Sequence, residues 1–160
     1  MIKSKIINGK LIAIQEIYDF GVIADARKIL LELKSRGFKL VLVTNQPDVS
    51  TGIVTKFFVD NINNFLKVHL DLDLIKVVYE VEENDPKRYK PAPGMILEAA
   101  SELDLDLKNS FMVGDRWRDI EAGKNAGCKT ILLKSQYVEA IRQKPDFEIH
   151  ELSGLLQLIY

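Results

Sequence analysis

The stretch "FMVGDRWRDIEAGKNAG", residues 111–127, contains the pattern that decides the fold. It opens with apolar residues that suit a buried β-strand, and this strand ends at Gly114 and Asp115. A helical pattern follows, in which Asp119 stands one helical turn beyond Asp115, so both carboxylates can face the same point. In open α/β sheets, ligands bind at the carboxyl ends of the strands. The stretch therefore predicts an α/β fold with a polar site at this strand end.

Short apolar runs alternate with helical patterns along the rest of the chain, which predicts a doubly wound, Rossmann-like parallel sheet with flanking helices. The predicted strands are 39–44, 74–80, 110–115, 129–134 and 147–149. The predicted helices are 24–36, 51–69, 94–103, 119–126 and 151–159. Near the amino terminus, Asn8 and Gly9 join two short apolar runs and suit the tight turn of a β-hairpin. We expect a single domain over 1–160, with a hairpin region at 1–20 and an α/β core at 21–160.

The composition disfavours several classes of partner. The chain has 22 basic and 23 acidic residues and a net charge of −1, which gives no electrostatic footprint for nucleic acid or an anionic membrane. The single cysteine, Cys128, argues against a disulfide framework or a Cys-rich zinc site and suits a reducing compartment. The sequence shows neither an apolar run long enough to span a bilayer nor a secretory signal pattern. We therefore expect a cytoplasmic protein.

Polar residues follow three of the predicted strands. Thr44 ends the first strand, Lys90 lies in a loop stiffened by two prolines, and Asp115 and Asp119 follow the strand at 110–115. A hydroxyl, an ammonium and a pair of carboxylates around one point suit a phosphate group with Mg²⁺. Each residue alone has a simpler interpretation, because Thr is common in turns, Lys is usually solvated and Asp often caps helices. The ordered set favours the functional interpretation.

Three motifs then resemble a known family. "VLVTNQ" (41–46), "KPAPGM" (90–95) and "VGDRWRDIEAGKNAGC" (113–128) resemble the second, third and fourth motifs of the haloacid dehalogenase-like phosphatase superfamily. The match is specific to the branch that contains D-glycero-D-manno-heptose 1,7-bisphosphate phosphatase and histidinol-phosphate phosphatase, and it covers the chain from about 2 to 133. The resemblance implies a capless α/β fold and a phosphomonoesterase acting on a sugar phosphate, with the heptose bisphosphate as the nearest family substrate.

The resemblance also implies roles for individual residues. Thr44 would bind the transferring phosphoryl group and Lys90 would neutralise it. Asp115 would hold Mg²⁺, while Asp119 would support the metal or orient Lys90. The candidate substrate contacts are Asn45, Gln46 and Arg116.

One family motif is missing before Thr44. The family's nucleophile is the first Asp of a D-x-D pattern at the end of the central strand, and it forms an aspartyl-phosphate. No such pattern precedes Thr44, and "MIKSKIINGKL" at the start of the sequence resembles the flap that follows the motif. Since the central strand lies between the strands at 39–44 and 110–115 in the family, we expect two facing, unpaired strand edges. The nucleophilic carboxylate is then not in this sequence.

Relatives in this branch often carry a zinc loop before the Lys-Pro pair. The corresponding positions here are Val78, Glu80, Pro86 and Arg88, none of which is the expected ligand. We therefore predict Mg²⁺ as the cofactor and no structural zinc.

Two other functions are compatible with parts of the pattern. The first is a catalytically inactive relative that keeps phosphate or metal binding, or a partner role; the missing nucleophile favours it. The second is a phospho-acceptor receiver domain, which uses Asp, Thr and Lys on a similar sheet. Its order along the chain is Asp, Thr, Lys, whereas the order here is Thr, Lys, Asp, so the sequence argues against a receiver.

Overall fold

The computed structural model describes residues 5–7, 10–12, 22–23, 25–134 and 139–160. The strands of the described residues are β1 (Lys5–Ile7), β2 (Lys10–Ile12), β3 (Val41–Asn45), β4 (Leu74–Val78), β5 (Phe111–Gly114), β6 (Lys129–Leu133) and β7 (Phe147–Ile149). The helices are α1 (Ala26–Ser35), α2 (Lys56–His69), α3 (Gly94–Leu103), α4 (Trp117–Ala126) and α5 (Leu155–Leu158). Two short 3₁₀ turns lie at Leu107–Asn109 and Leu152–Gly154.

Most predicted elements are present, but one boundary was wrong by five residues. The predicted helix 51–69 begins at Lys56, because the Thr55 hydroxyl caps it by accepting a hydrogen bond from the Phe58 N–H at 3.2 Å. The preceding Gly52 has a φ of 76°, which a helix cannot accommodate. The last helix, predicted over 151–159, is shorter, since a 3₁₀ turn precedes α5. The hairpin is confirmed by the antiparallel pairing of β1 with β2, although its turn residues lie outside the described ones.

The α/β fold class is confirmed, with the parallel strands divided into two groups. β3 pairs with β4, and β5, β6 and β7 form a three-stranded parallel sheet. Within the described part of the chain, no strand bridges β3 and β5, the two strands whose facing edges were expected to be unpaired. β1 and β2 pair with each other and with no other described strand.

Helices cover both faces of the strands. One apolar cluster contains side chains of α1, α2 and α5, and Leu42 and Val113 pack against it. The other contains side chains of α3 and α4, and Val43 and Met112 pack against it. Neighbouring residues of β3 and of β5 thus face opposite layers, as the two-residue period of a strand requires. The layers leave the carboxyl ends of β3 and β5 free to carry polar groups.

Among the residues that the structure describes, no helix has the length and apolar character needed to cross a membrane.

Candidate active site

A cavity of about 370 Å³ lies between β3 and β5. Residues of both strands line it, together with apolar side chains of α1, α2 and α5. The polar residues at the carboxyl ends of the strands also line it, namely Thr44, Lys90, Asp115 and Asp119. The structure therefore brings all four residues, which lie far apart in the sequence, to one cavity.

Lys90 is held in place through its main chain and its side chain. The Asn45 side chain donates to the Lys90 carbonyl oxygen and accepts from the Lys90 N–H, both at 3.1 Å. The Lys90 ammonium donates to Asp119 Oδ1 at 2.6 Å and to the Val43 carbonyl oxygen at 3.0 Å. Because these contacts leave the four-carbon stem little freedom, the positive charge stays at the strand ends.

Asp119 is buried near the start of α4, with 6% of its surface exposed. Besides the Lys90 contact, its Oδ2 accepts a hydrogen bond from the Arg116 N–H at 3.2 Å. The carboxylate also lies against Gly114, where an added Cβ would overlap the Asp119 side chain. Both oxygens of Asp119 are thus engaged, which suits a residue that orients Lys90.

Asp115 is the second carboxylate at the cavity. Burial raises the pKa of its carboxyl group above the ordinary value, and the nearby Asp119 charge raises it further, while Arg116 and Lys90 act in the opposite direction. A cation bound beside Asp115 would relieve both unfavourable effects on its ionised form.

Thr44 supplies a hydroxyl at the end of β3. Its Oγ1 accepts a hydrogen bond from the Gln46 side-chain amide at 3.0 Å. Since a hydroxyl can accept and donate at once, its own proton remains available to an anion in the cavity. Gln46 therefore acts on the site through Thr44.

The residues at the cavity agree in kind with Mg²⁺, which prefers oxygen ligands and keeps several waters. Asp115 and Asp119 supply carboxylate oxygens, but Asp119 already binds Lys90 and the Arg116 N–H. Within the described residues, no group of three or more His, Cys, Asp or Glu side chains is positioned to hold a metal. The described residues therefore supply the kind of ligand atom that Mg²⁺ prefers, but they supply few of them.

Several contacts around the site were not predicted from the sequence. Arg116 forms an ion pair with Glu139, with Nε at 3.0 Å from Oε2. Trp117 is 6% exposed, and the guanidinium groups of Arg118 and Arg142 lie 4.3 Å and 3.5 Å from its ring centroid. Glu139 and Arg142 lie more than twenty residues beyond Arg116 and Trp117, in a segment without a motif, so no local signal indicated these contacts.

Comparison with known proteins gives a consistent result. The family model of the haloacid dehalogenase-like hydrolases matches residues 3–127. A D-glycero-beta-D-manno-heptose-1,7-bisphosphate 7-phosphatase of Pasteurella multocida is 32% identical over 160 residues, covering 91% of this chain and 87% of the relative. The protein of the same name from Yersinia pestis is 34% identical over 162 residues, covering 91% and 86%.

Among solved structures, a D,D-heptose 1.7-bisphosphate phosphatase of B. bronchiseptica, complexed with magnesium and phosphate, matches with a TM-score of 0.76 and 22% identity. The match covers 88% of this chain and 87% of that one. At this identity the likeness concerns the fold.

Proposed function

The chain belongs to the haloacid dehalogenase-like hydrolases, and on that basis we propose that it is a Mg²⁺-dependent phosphomonoesterase acting on a sugar phosphate. The observation that carries the proposal is the meeting of Thr44, Lys90, Asp115 and Asp119 at one cavity. Sites that bind a phosphoryl group together with a metal ion use such groups, namely a hydroxyl, a fixed ammonium and two neighbouring carboxylates.

Each residue has a role in the proposal that follows from its contacts. Lys90 holds a positive charge where the phosphoryl oxygens lie, and Asp119 fixes the position of that charge. The Thr44 hydroxyl donates a hydrogen bond to a phosphoryl oxygen, and the Gln46 side-chain amide holds the hydroxyl by donating to its oxygen. Asp115 is the carboxylate that holds Mg²⁺, which, when bound, neutralises developing negative charge on the phosphoryl group.

We propose D-glycero-D-manno-heptose 1,7-bisphosphate as the first substrate to test, because the two curated relatives above are named for it. Arg116 and Asn45 are proposed to act near the substrate only indirectly, since Arg116 is paired with Glu139 and Asn45 holds the Lys90 main chain. The single, buried Cys128 supports a proposed location in the reducing cytoplasm.

A second candidate function is phosphate and metal binding without turnover. It is favoured by the absence of a D-x-D pattern before Thr44 in this sequence. Without that pattern the aspartyl-phosphate chemistry implied by the resemblance needs a carboxylate from elsewhere.

The two candidates differ in phosphate release. The purified chain is incubated with the heptose bisphosphate and Mg²⁺, and both inorganic phosphate release and Mg²⁺-dependent binding of inorganic phosphate are measured. Release that Lys90→Met and Asp115→Asn abolish, and that the exposed control Glu83→Gln leaves unchanged, supports the phosphatase. Mg²⁺-dependent phosphate binding without release supports the second candidate, and neither binding nor release contradicts both.

A further inference from the structure

The loop 79–93, which carries Lys90 to the cavity, has no hydrophobic anchor of its own. It runs from the end of β4 to the start of α3, and none of its residues is fully buried. Because burial of apolar side chains does not hold such a loop, its position depends on polar contacts. Asn45 holds the main chain at Lys90 itself. A second set of contacts lies two residues earlier in the chain, at Arg88.

The Arg88 guanidinium contacts three separate parts of the chain. Its Nη1 donates to Asp85 Oδ2 within the loop, and its Nη2 donates to the Val77 carbonyl oxygen of β4, both at 3.3 Å. Its Nε lies 2.8 Å from Oε1 of Glu98 on α3, which forms an ion pair. One planar group therefore joins the loop to the strand before it and to the helix after it. The rigid fork of donors on an arginine suits this arrangement better than the single ammonium of a lysine.

The main chain around Arg88 is packed against the start of the same helix. The Gly94 N–H donates to the Lys87 carbonyl oxygen at 3.1 Å, and a Cβ added at Gly94 would overlap that oxygen. The N–H groups of Arg88 and of the residue after it both donate to the Asp85 carbonyl oxygen, at 3.2 Å and 2.9 Å. The turn is thus closed by its own hydrogen bonds, and the Arg88 side chain links it to β4 and α3.

We propose that Arg88 is a positioning residue for Lys90: by joining the loop to β4 and α3, it sets where the Lys90 ammonium lies at the cavity. Two peptide units separate the two residues, so a displacement of Arg88 is passed on to Lys90. The ion pairs of Arg88 are partly exposed and contribute little to global stability, so the effect of Arg88 is on local geometry. Only the consequence for turnover rests on the proposed function, in which a misplacement of about 1 Å costs about 100-fold in rate.

The first test observes the Lys90 ammonium by NMR in the full chain, prepared with isotope-labelled lysine. This ammonium is 12% exposed and donates to two acceptors, so its protons exchange slowly with water. Arg88→Gln is expected to speed that exchange at least about ten-fold. Arg36→Gln is the matched control, because Arg36 also pairs with a carboxylate, that of Glu32, donates to main-chain carbonyls and is similarly exposed, at 31% against 35%. It lies at the end of α1 and should leave the exchange unchanged.

Two glutamates of α3 provide a second matched pair. Glu98 and Glu102 both lie near the Lys76 ammonium, at 4.0 Å and 2.5 Å, but of the two it is Glu98 that pairs with Arg88. Glu98→Gln is therefore expected to speed proton exchange at the Lys90 ammonium, whereas Glu102→Gln should not. Both variants remove one negative charge from the same helix, so a general effect of charge would appear equally in each.

Phosphate release by the same variants separates this inference from the proposed function. Where the unmodified chain releases phosphate, Arg88→Gln should lower kcat/KM about 10- to 100-fold. Arg88→Lys keeps the charge but loses the fork, so it should remain impaired. An unchanged Lys90 ammonium in Arg88→Gln, an equal change in Arg36→Gln, or full recovery in Arg88→Lys would overturn the proposal. Absence of release from the unmodified chain would overturn the proposed function alone, because the NMR measurement requires no turnover.

Discussion

Lys90 and Asp119 form a buried ion pair, with Nζ 2.6 Å from Oδ1 and side chains that are 12% and 9% exposed. Lys56 and Asp60 have the same 2.6 Å separation on α2, but their side chains are 60% and 37% exposed. Because the two ion pairs have the same separation, one buried and one exposed, comparing them measures the effect of burial on the stability that each pair contributes. A buried charge that loses its partner is left uncompensated, whereas an exposed one is solvated by water.

We therefore expect Lys90→Met to lower the free energy of unfolding by about 3 kcal/mol, because it leaves the Asp119 carboxylate buried beside an apolar side chain. The matched variant Lys56→Met should lower it by less than about 1 kcal/mol. Urea unfolding followed by circular dichroism measures both. Similar small losses in the two variants would show that the Lys90 pair is solvated in solution.

Gly114→Ala tests whether the close approach of β5 to Asp119 fixes the site. An added Cβ would overlap the Asp119 side chain, so the carboxylate must shift and release Lys90. We expect a loss of about 3 kcal/mol in unfolding free energy and a loss of phosphate binding. Gly37→Ala is the control, because a Cβ there meets open space but a φ of 92° makes it strained, at a cost of about 1 kcal/mol. Normal phosphate binding by Gly114→Ala would mean that the position of Asp119 is not required.

Asp146 provides a prediction on pH. Its carboxylate accepts hydrogen bonds from the hydroxyl and the N–H of Thr130, which is fully buried, and these bonds, with the pairing to Lys124, lower the pKa of Asp146 below its usual 3.8. A lowered pKa in the folded state means a stabilisation that is present above pH 3.8 and is lost as the pH falls below it.

Asp146→Ala should accordingly cost about 1–3 kcal/mol at neutral pH, since it leaves buried donors of Thr130 without a partner. The difference from the unmodified chain should narrow in acid. Glu148→Ala, which removes the exposed ion pair with Lys134, is the control and should cost less than about 1 kcal/mol. Thermal unfolding between pH 3 and pH 7 measures the loss of stability in both variants. If the loss in Asp146→Ala became larger in acid, the pKa of Asp146 would not be lowered by folding.

Mg²⁺ should bind the chain alone only weakly, above micromolar dissociation constants, because Asp119 is engaged with Lys90 and leaves Asp115 as the available carboxylate. Asp115→Asn should abolish whatever response to Mg²⁺ exists. Glu83→Gln removes the same charge at an exposed position and should leave the response unchanged. Isothermal titration calorimetry measures all three proteins; micromolar binding, or a response retained in Asp115→Asn, would place the metal elsewhere.

The fold could be predicted from the sequence because its elements have strong local signals. α3 and β7 occur with the predicted bounds, since Pro93-Gly94 begins the one and a short apolar run defines the other. The start of α2 was missed because several residues near Thr55 could also cap a helix, so the sequence did not identify Thr55 as the cap. Local patterns identify elements better than they locate the ends of elements.

The site could be predicted only in part. Recognisable motifs contain four of the site residues, and the order of the parallel strands brings these together: Thr44, Lys90, Asp115 and Asp119. The ion pair of Arg116 with Glu139 joins distant segments of the chain, and no periodicity or spacing reports such a contact. The engagement of both Asp119 oxygens likewise depends on side-chain geometry, which the sequence leaves open between metal binding and support of Lys90.

The measurement that tests the central claim most directly is phosphate release from D-glycero-D-manno-heptose 1,7-bisphosphate by the purified chain, with and without Mg²⁺. We predict release that requires Mg²⁺, and its loss in Asp115→Asn and Lys90→Met. No release in any arm, or release that persists in Asp115→Asn, would contradict the assignment of this cavity as a Mg²⁺-dependent phosphatase site.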